Sequence, residues 1–305
     1  MKTTTQSSFT HRMKKLTLPI AALLLAFSGY ATAAPLVYEG FGYAPGALAG
    51  QNGGIGWETP WDTTTPAVSG TNSNLAAVTS VSLSYGALVK TGGDVFLNHS
   101  VSFPTVEIFR DLNGTLGGAG SDLWMSFLID ARIDGSSFLS LRNSVVSGGG
   151  ALVSLGAGIS FTPAGYGVIY TGGAGAPVAG GVLQALGVNR DTGTHFMVIR
   201  LNMNTGGLPA YTTWIDPSPA SLGVGSVPTG GTSVVLNTGT QAFGFDRISI
   251  VRAVQIGFVD PVPFDEIRIG TTWVDVSPIP EPATGMMLVA GLGMLTCIRR
   301  RTVRA

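Results

Sequence analysis

The chain has 305 residues, 45% of them hydrophobic, which is length and apolar content enough for one large core. Charged residues make up only 11%, against about 25% in ordinary soluble domains, and 44 glycines and 17 prolines disfavour a helical fold. The formal net charge of zero hides a division. Lys2, Arg12, Lys14 and Lys15 precede the first apolar run, Arg299, Arg300, Arg301 and Arg304 follow the last, and every acidic residue lies between them. The central body is therefore distinctly acidic and carries no basic patch for nucleic acid. Cys297, the lone cysteine, sits in the final apolar stretch, so the body has no disulfide, no thiolate metal ligand and no cysteine nucleophile.

From Met13 the chain runs through lysines, an apolar stretch from Leu16 to Phe27, a breaker at Gly29 and the small residues Ala31-Thr32-Ala33. This three-part order predicts a secretory signal helix over residues 1–33, handed to the export machinery and cleaved between Ala33 and Ala34. The polar residues 1–12 extend it unusually, which leaves Met1 and Met13 as alternative starts.

Residues 34–277 alternate short apolar runs with Gly, Asn, Asp and Pro. The spacing predicts a hairpin over "DLWMSFLIDARIDGSSFLSLRN", with strands from Leu123 and from Phe138 to Leu141 and a turn at Asp134-Gly135. Further strands are predicted in "LAAVTSVSLSYGALVK", "GYGVIYTG", "HFMVIRLNM", "YTTWIDP", "RISIVRAVQIGFV" and "DEIRIGTTWVDV". No segment keeps a helical period and no repeat of fixed length appears, so the class is all-β and the body one large β-sandwich.

Residues of chemical interest in the body are few. Its carboxylates lack the alternating spacing that places two of them on one strand face, as a sandwich glycosidase requires. Asp265 and Glu266 are adjacent, so a strand turns them to opposite faces, and they read as a surface pair at a strand entry. His99 and His195 sit at strand edges without a partner supplied by any motif. "RDLNG" from Arg110 to Gly114 lacks the distal Glu of a calcium loop and reads as an Asx-turn. Tyr43, Trp57 and Trp61, in a segment punctuated by Gly and Pro, are the candidate glycan-binding platform. Trp124, Trp214 and Trp273 lie in strand patterns and read as core. No catalytic residue, metal ligand or cofactor is assigned.

"VSPIPEP" is the linker from body to tail. Beyond it, Ala283 to Ile298 is apolar or small, shorter than the roughly 20 residues that span a bilayer comfortably, and weakened by Gly285, Gly291 and Gly293. The arginines that follow hold that end in the cytoplasm and leave the body on the far side of the inner membrane.

Pro280-Glu281-Pro282, a short glycine-bearing apolar helix and an arginine cluster, in that order over residues 278–305, resemble the PEP-CTERM sorting signal of Gram-negative bacteria. The resemblance implies that an exosortase-type membrane enzyme recognises Pro280, Glu281 and Pro282 and removes the helix and tail. Arg299, Arg300 and Arg301 then act as the cytoplasmic stop of a transient inner-membrane anchor. Proline on both sides of Glu281 keeps that segment extended. Similarly, "LVYEGFGYAPGALAGQNGGIGWETPW" and "PFDEIRIGTTWVDV" resemble the first and last strands of concanavalin A-like, laminin-G-type jelly rolls, which pair side by side. Together these resemblances imply a non-enzymatic, exported protein of the cell surface or extracellular matrix, structural or adhesive. A lectin-like binder of extracellular polysaccharide is the alternative reading, and a glycoside hydrolase of the same fold the remaining one.

Overall fold

The computed structural model describes residues 34–62, 76–97, 105–118, 120–130, 136–143, 153–160, 165–172, 182–189, 191, 193–203, 210–237, 244–253 and 262–280. The signal helix, Glu281, Pro282, the apolar tail with its arginines, His99 and the Asp134-Gly135 turn lie outside them. Among the described residues, no helix is long and apolar enough to cross a membrane.

The strands are β1 (Val37–Glu39), β2 (Gly46–Ala47), β3 (Ala76–Val78), β4 (Val95–Leu97), β5 (Thr105–Gly117), β6 (Asp122–Asp130), β7 (Ser136–Arg142) and β8 (Val153–Ser160). They continue with β9 (Gly165–Gly172), β10 (Val182–Ala185), β11 (Thr194–Asn202), β12 (Ala210–Ile215), β13 (Thr232–Asn237), β14 (Gly244–Ala253) and β15 (Pro263–Gly270). A single turn of helix, α1 (Trp273–Val276), follows. Two antiparallel sheets result. One has the order β13-β12-β11-β6-β15-β4-β3-β2 with β1 also on β15, and the other runs β10-β9-β8-β7-β14-β5. The protein is an all-β sandwich of these two sheets.

The first and last strands pair as expected: Val37 lies opposite Ile269 and Glu39 opposite Ile267. The expected hairpin does not form. β6 pairs with β11 and β15 in one sheet, whereas β7 pairs with β14 and β8 in the other. The chain crosses between sheets here because Met125, Phe127 and Ile129 of β6 and Leu139 and Leu141 of β7 enter the same core from opposite sides. A hairpin would have set the two strands edge to edge in one layer.

β6 reads as a continuous apolar run because both of its faces are covered. Its odd-numbered residues enter the inter-sheet core, while Trp124 and Leu128 join a second cluster with Phe196, Val198, Leu222, Trp273 and Val276. The segments around Leu83, Leu88 and Leu222, with α1, form that second layer. Trp273, placed in a strand by sequence pattern, sits instead in α1, where its indole N–H donates to the carbonyls of Ser221 and Val224. A capping box between Thr272 and Asp275 fixes this short helix.

"RDLNG" is no turn. Arg110 to Gly114 lie inside β5, with Arg110 directed into the core and Asp111 to the opposite face. The glycine-rich composition has a local use at Gly92, which adopts φ +69°. A Cβ there would come within 2.1 Å of the Gly40 carbonyl oxygen, so the chain passes where no other residue fits.

Candidate functional site

Of the three residues expected to form an exposed glycan platform, Trp61 is 1% exposed and belongs to the core. Its indole N–H donates to the Glu39 carboxylate at 3.1 Å. Tyr43 and Trp57 are half-buried and turn to the same group of residues. The Tyr43 hydroxyl donates to Glu39 at 2.8 Å, and the Trp57 ring lies 4.6 Å from the Arg110 guanidinium. Arg110 closes the knot, with Nη1 2.6 Å from Glu39, Nε donating to the Thr59 carbonyl and Nη2 donating to Asn52. The three aromatics thus anchor the 43–61 segment onto β5, and burial beside Glu39 pushes the Tyr43 hydroxyl above its ordinary pKa. Their chemical role here is packing around a buried charge.

Asp265 and Glu266 are fully buried, not a surface pair. A register shift against β6 falls at this point, and Glu266 adopts φ +54°. Asp265 accepts from Ser82 Oγ at 2.8 Å and from the Leu83 amide at 2.9 Å, which ties the second layer to the sheet. Glu266 accepts from the Tyr38 hydroxyl at 3.0 Å, from the Thr91 amide and from Arg268. Both carboxylates were misplaced by the sequence reading because each face of β15 is covered by residues distant in the chain.

Burial, with the negative charge of Glu266 beside it, pushes the Asp265 carboxyl up to about 8. Unfolded, it titrates near its ordinary value of 3.8. The native state therefore holds more protons than the unfolded state between those values, and stability falls as pH rises through that window. The thermal midpoint should drop by several degrees between about pH 4 and pH 8, and Asp265→Asn should flatten that dependence. A profile equally steep in the variant would locate the titrating group elsewhere.

His195 has partners that no local motif announced. Its Nδ1 lies 2.5 Å from Asp216 and its Nε2 2.7 Å from Asp191, with the Tyr166 ring 4.6 Å away. Burial pulls the imidazole pKa down, but the two carboxylate bonds outweigh it and the net direction is up. The bond from His195 holds Asp191 below the usual carboxylate range. The ring thus bridges Asp191 and Asp216, ties β11 to the end of β12 and fills the space between the two carboxylates. Asp216 takes φ +52° to reach it. Phe41, Asp216 and Glu266, the non-glycine residues with positive φ among the described residues, each sit in one of these polar knots.

On the face of the six-stranded sheet turned away from the core, Glu107 pairs with Arg142, and Asp111 with Arg247 at 2.6 Å. Glu107 and Asp111 are four residues apart on one strand face, about 13 Å at 3.3 Å per residue. Two-carboxylate glycoside hydrolysis needs roughly 5–9.5 Å. Among the described residues no group of three or more His, Cys, Asp or Glu is placed to hold a metal ion.

The sequence reading missed one surface. Arg200 and Asn202 alternate along β11 with core residues Ile199 and Leu201, so they face outward on the nine-stranded sheet. There Trp214, read as core, is only half-buried and stacks on Trp124 at 5.7 Å and 15°. A polar pair in the otherwise apolar "VIRLNM" was the available signal.

The chain leaves the body just after α1. Ser277 Oγ donates to the Trp273 carbonyl, the Pro278 carbonyl accepts from the Val89 amide, and Ile279 packs on the second cluster. Pro280 is exposed, as is Ala34 at the other end. Contacts with the body therefore extend through Ile279, directly before the Pro-Glu-Pro sequence.

No curated protein matches this chain. Among solved structures, similarity is found to the endo-β-1,4-glucuronan lyase from Trichoderma reesei, with 13% identity, 77% of this chain and 98% of that chain covered, and a TM-score of 0.49. It is also found to the T. cruzi calreticulin globular domain (12% identity, 88% and 100% covered, TM-score 0.48). A third is Bacillus licheniformis β-glucanase (13%, 75% and 98%, TM-score 0.42). Residues 278–301 match the family described as the PEP-CTERM protein-sorting motif. The chain thus joins a β-sandwich to a C-terminal PEP-CTERM sorting motif, which implies export, membrane-associated sorting and an exosortase-type processing partner.

Proposed function

We propose that this protein is a non-enzymatic, structural or adhesive component of the cell surface or extracellular matrix, delivered there by its C-terminal motif and released from a transient inner-membrane anchor by cleavage. The observation carrying the non-enzymatic part is the state of the carboxylates. Glu39, Glu107, Asp111 and Asp122 each pair with an arginine, and Asp191 and Asp216 are bridged by His195. Asp265 and Glu266 are spent on backbone and side-chain donors inside the fold. A general acid and a nucleophile must instead face a common open space. The exposure of Pro280, directly after Ile279, supports access by a processing enzyme.

Incubation of the purified protein with a panel of neutral and acidic polysaccharides tests this reading. No new reducing ends above a buffer control are expected after prolonged incubation. Their steady appearance, abolished by substitution of one carboxylate, would overturn it and favour a hydrolase or lyase of the same fold. The lectin-like alternative is favoured by a separate observation, the surface around Trp214.

A further inference from the structure

We infer that the outward face of β11–β13 is a binding site for a neutral hexopyranose chain, with Trp214 as its stacking platform. This deepens the lectin-like alternative and moves its site away from Tyr43, Trp57 and Trp61.

Register places the groups. Trp124, Arg200, Thr212 and Val235 lie side by side across β6, β11, β12 and β13, and Asp122 lies opposite Asn202 in the adjacent row. With strands about 4.8 Å apart, this makes a nearly flat field about as wide as two or three sugar rings. The second layer packs on Trp124, Phe196 and Val198, whereas Arg200, Asn202, Thr212 and Trp214 are partly exposed and Val235 is 54% exposed. One face of the Trp214 indole stacks on Trp124, and the side chain is only half-buried. An indole beside polar groups suits a ligand whose ring presents C–H bonds on its face and hydroxyls around its rim.

The polar groups are positioned but unsaturated. Arg200 Nη2 donates to Asp122 at 2.7 Å, and the guanidinium lies 5.4 Å from the Trp124 ring centroid, so its plane is fixed. Arg200 Nε and Asn202 Oδ1 have no hydrogen-bond partner and are shielded from water. A buried donor and a buried acceptor left in that condition are unfavourable until a ligand satisfies them. A small rotation of either partly exposed side chain brings it to a vicinal diol, which offers both an acceptor and a donor. Unsatisfied polarity and a half-buried tryptophan thus lie on one outward face of the sheet.

Charge selects the ligand class. Asp122 neutralises Arg200, and between residues 34 and 277 nine basic side chains stand against sixteen acidic ones. A uronic or sulfated polymer meets net repulsion and no free cation in the field, whereas a neutral chain meets neither.

Affinity electrophoresis of the full chain in detergent tests the site, using laminarin, xyloglucan and galactomannan as neutral probes and alginate and hyaluronan as acidic ones. Retardation is expected with at least one neutral polymer and weakened at least about tenfold by Trp214→Ala, as loss of an aromatic anchor implies. Thr212→Arg, which lays a long side chain over the field without touching the core, should do the same while the thermal midpoint stays within about 3 °C of the parent. Absence of retardation by every neutral polymer, retardation by acidic polymers alone, or retardation undiminished in Thr212→Arg would overturn the inference. The assay does not depend on tail processing. Shortening of a polymer during it would count against the non-enzymatic reading while leaving the site intact.

Discussion

Arg110→Ala should unfold this protein at a temperature on the order of 10 °C below the parent. Arg110 has no exposed surface, and its removal leaves Glu39 charged, buried and without its cation. Breaking such a pair from one side costs about 3–5 kcal/mol, and for a domain of this size each kcal/mol shifts the midpoint by about 2–4 °C. The effect is enlarged because Glu39 also gathers Trp61, Tyr43 and the Phe41 amide, and Arg110 also holds Thr59 and Asn52. Removing both charges, as Arg110→Met with Glu39→Gln, should cost clearly less than the two single changes summed, since neither leaves an orphaned ion. Scanning calorimetry of the parent, Arg110→Ala, Arg110→Met, Glu39→Gln and the double variant checks this. A midpoint within about 2 °C of the parent in Arg110→Ala would show that the knot does not fasten the 39–61 segment to β5.

The second large effect concerns sorting. Replacing Pro280, Glu281 and Pro282 together by alanine should leave the fold unchanged, because Ile279, which packs on the second cluster, is kept and Pro280 is exposed, yet convert a processed protein into one retained at full length in the membrane fraction. The alanines remove the only charged group in the segment and both of its prolines, the residues whose rings restrict φ. Quantitative immunoblotting of membrane and surface fractions should show about a tenfold redistribution or more. The calorimetric midpoint should not move. Wild-type distribution of the triple variant would remove the tripeptide from recognition and leave the apolar helix and arginines as a plain anchor.

The all-β class and the pairing of first and last strands were legible because they rest on local signals. β12 alternates strictly between faces, and the motifs at either end of the body carry their own spacing. What escaped was decided by residues far apart in the chain. The alternation within 123–141 is the same whether β7 folds back on β6 or crosses to the other sheet. Only the core volume shared by Phe127, Leu139 and Ile250 settles which. Asp265 and Glu266 looked like a surface pair because nothing in "PFDEIRIG" reveals that Ser82 and Leu83 cover one face and Tyr38 and Thr91 the other. Trp61 looked like a loop platform because its partner Arg110 is 49 residues away. The Trp214 surface is the reverse case: the tryptophan resembled core, while Arg200 and Asn202, out of place in an apolar strand, marked a partly exposed face.

Sorting by the C-terminal motif is the central claim, and the C-terminal residue of the protein recovered from its native cell surface addresses it most directly. Mass spectrometry of the intact protein is expected to give a chain starting at Ala34 and ending close to the Pro280–Pro282 segment, without the apolar stretch or the arginines. A mass that includes every residue through Ala305 would contradict processing and leave the protein permanently anchored.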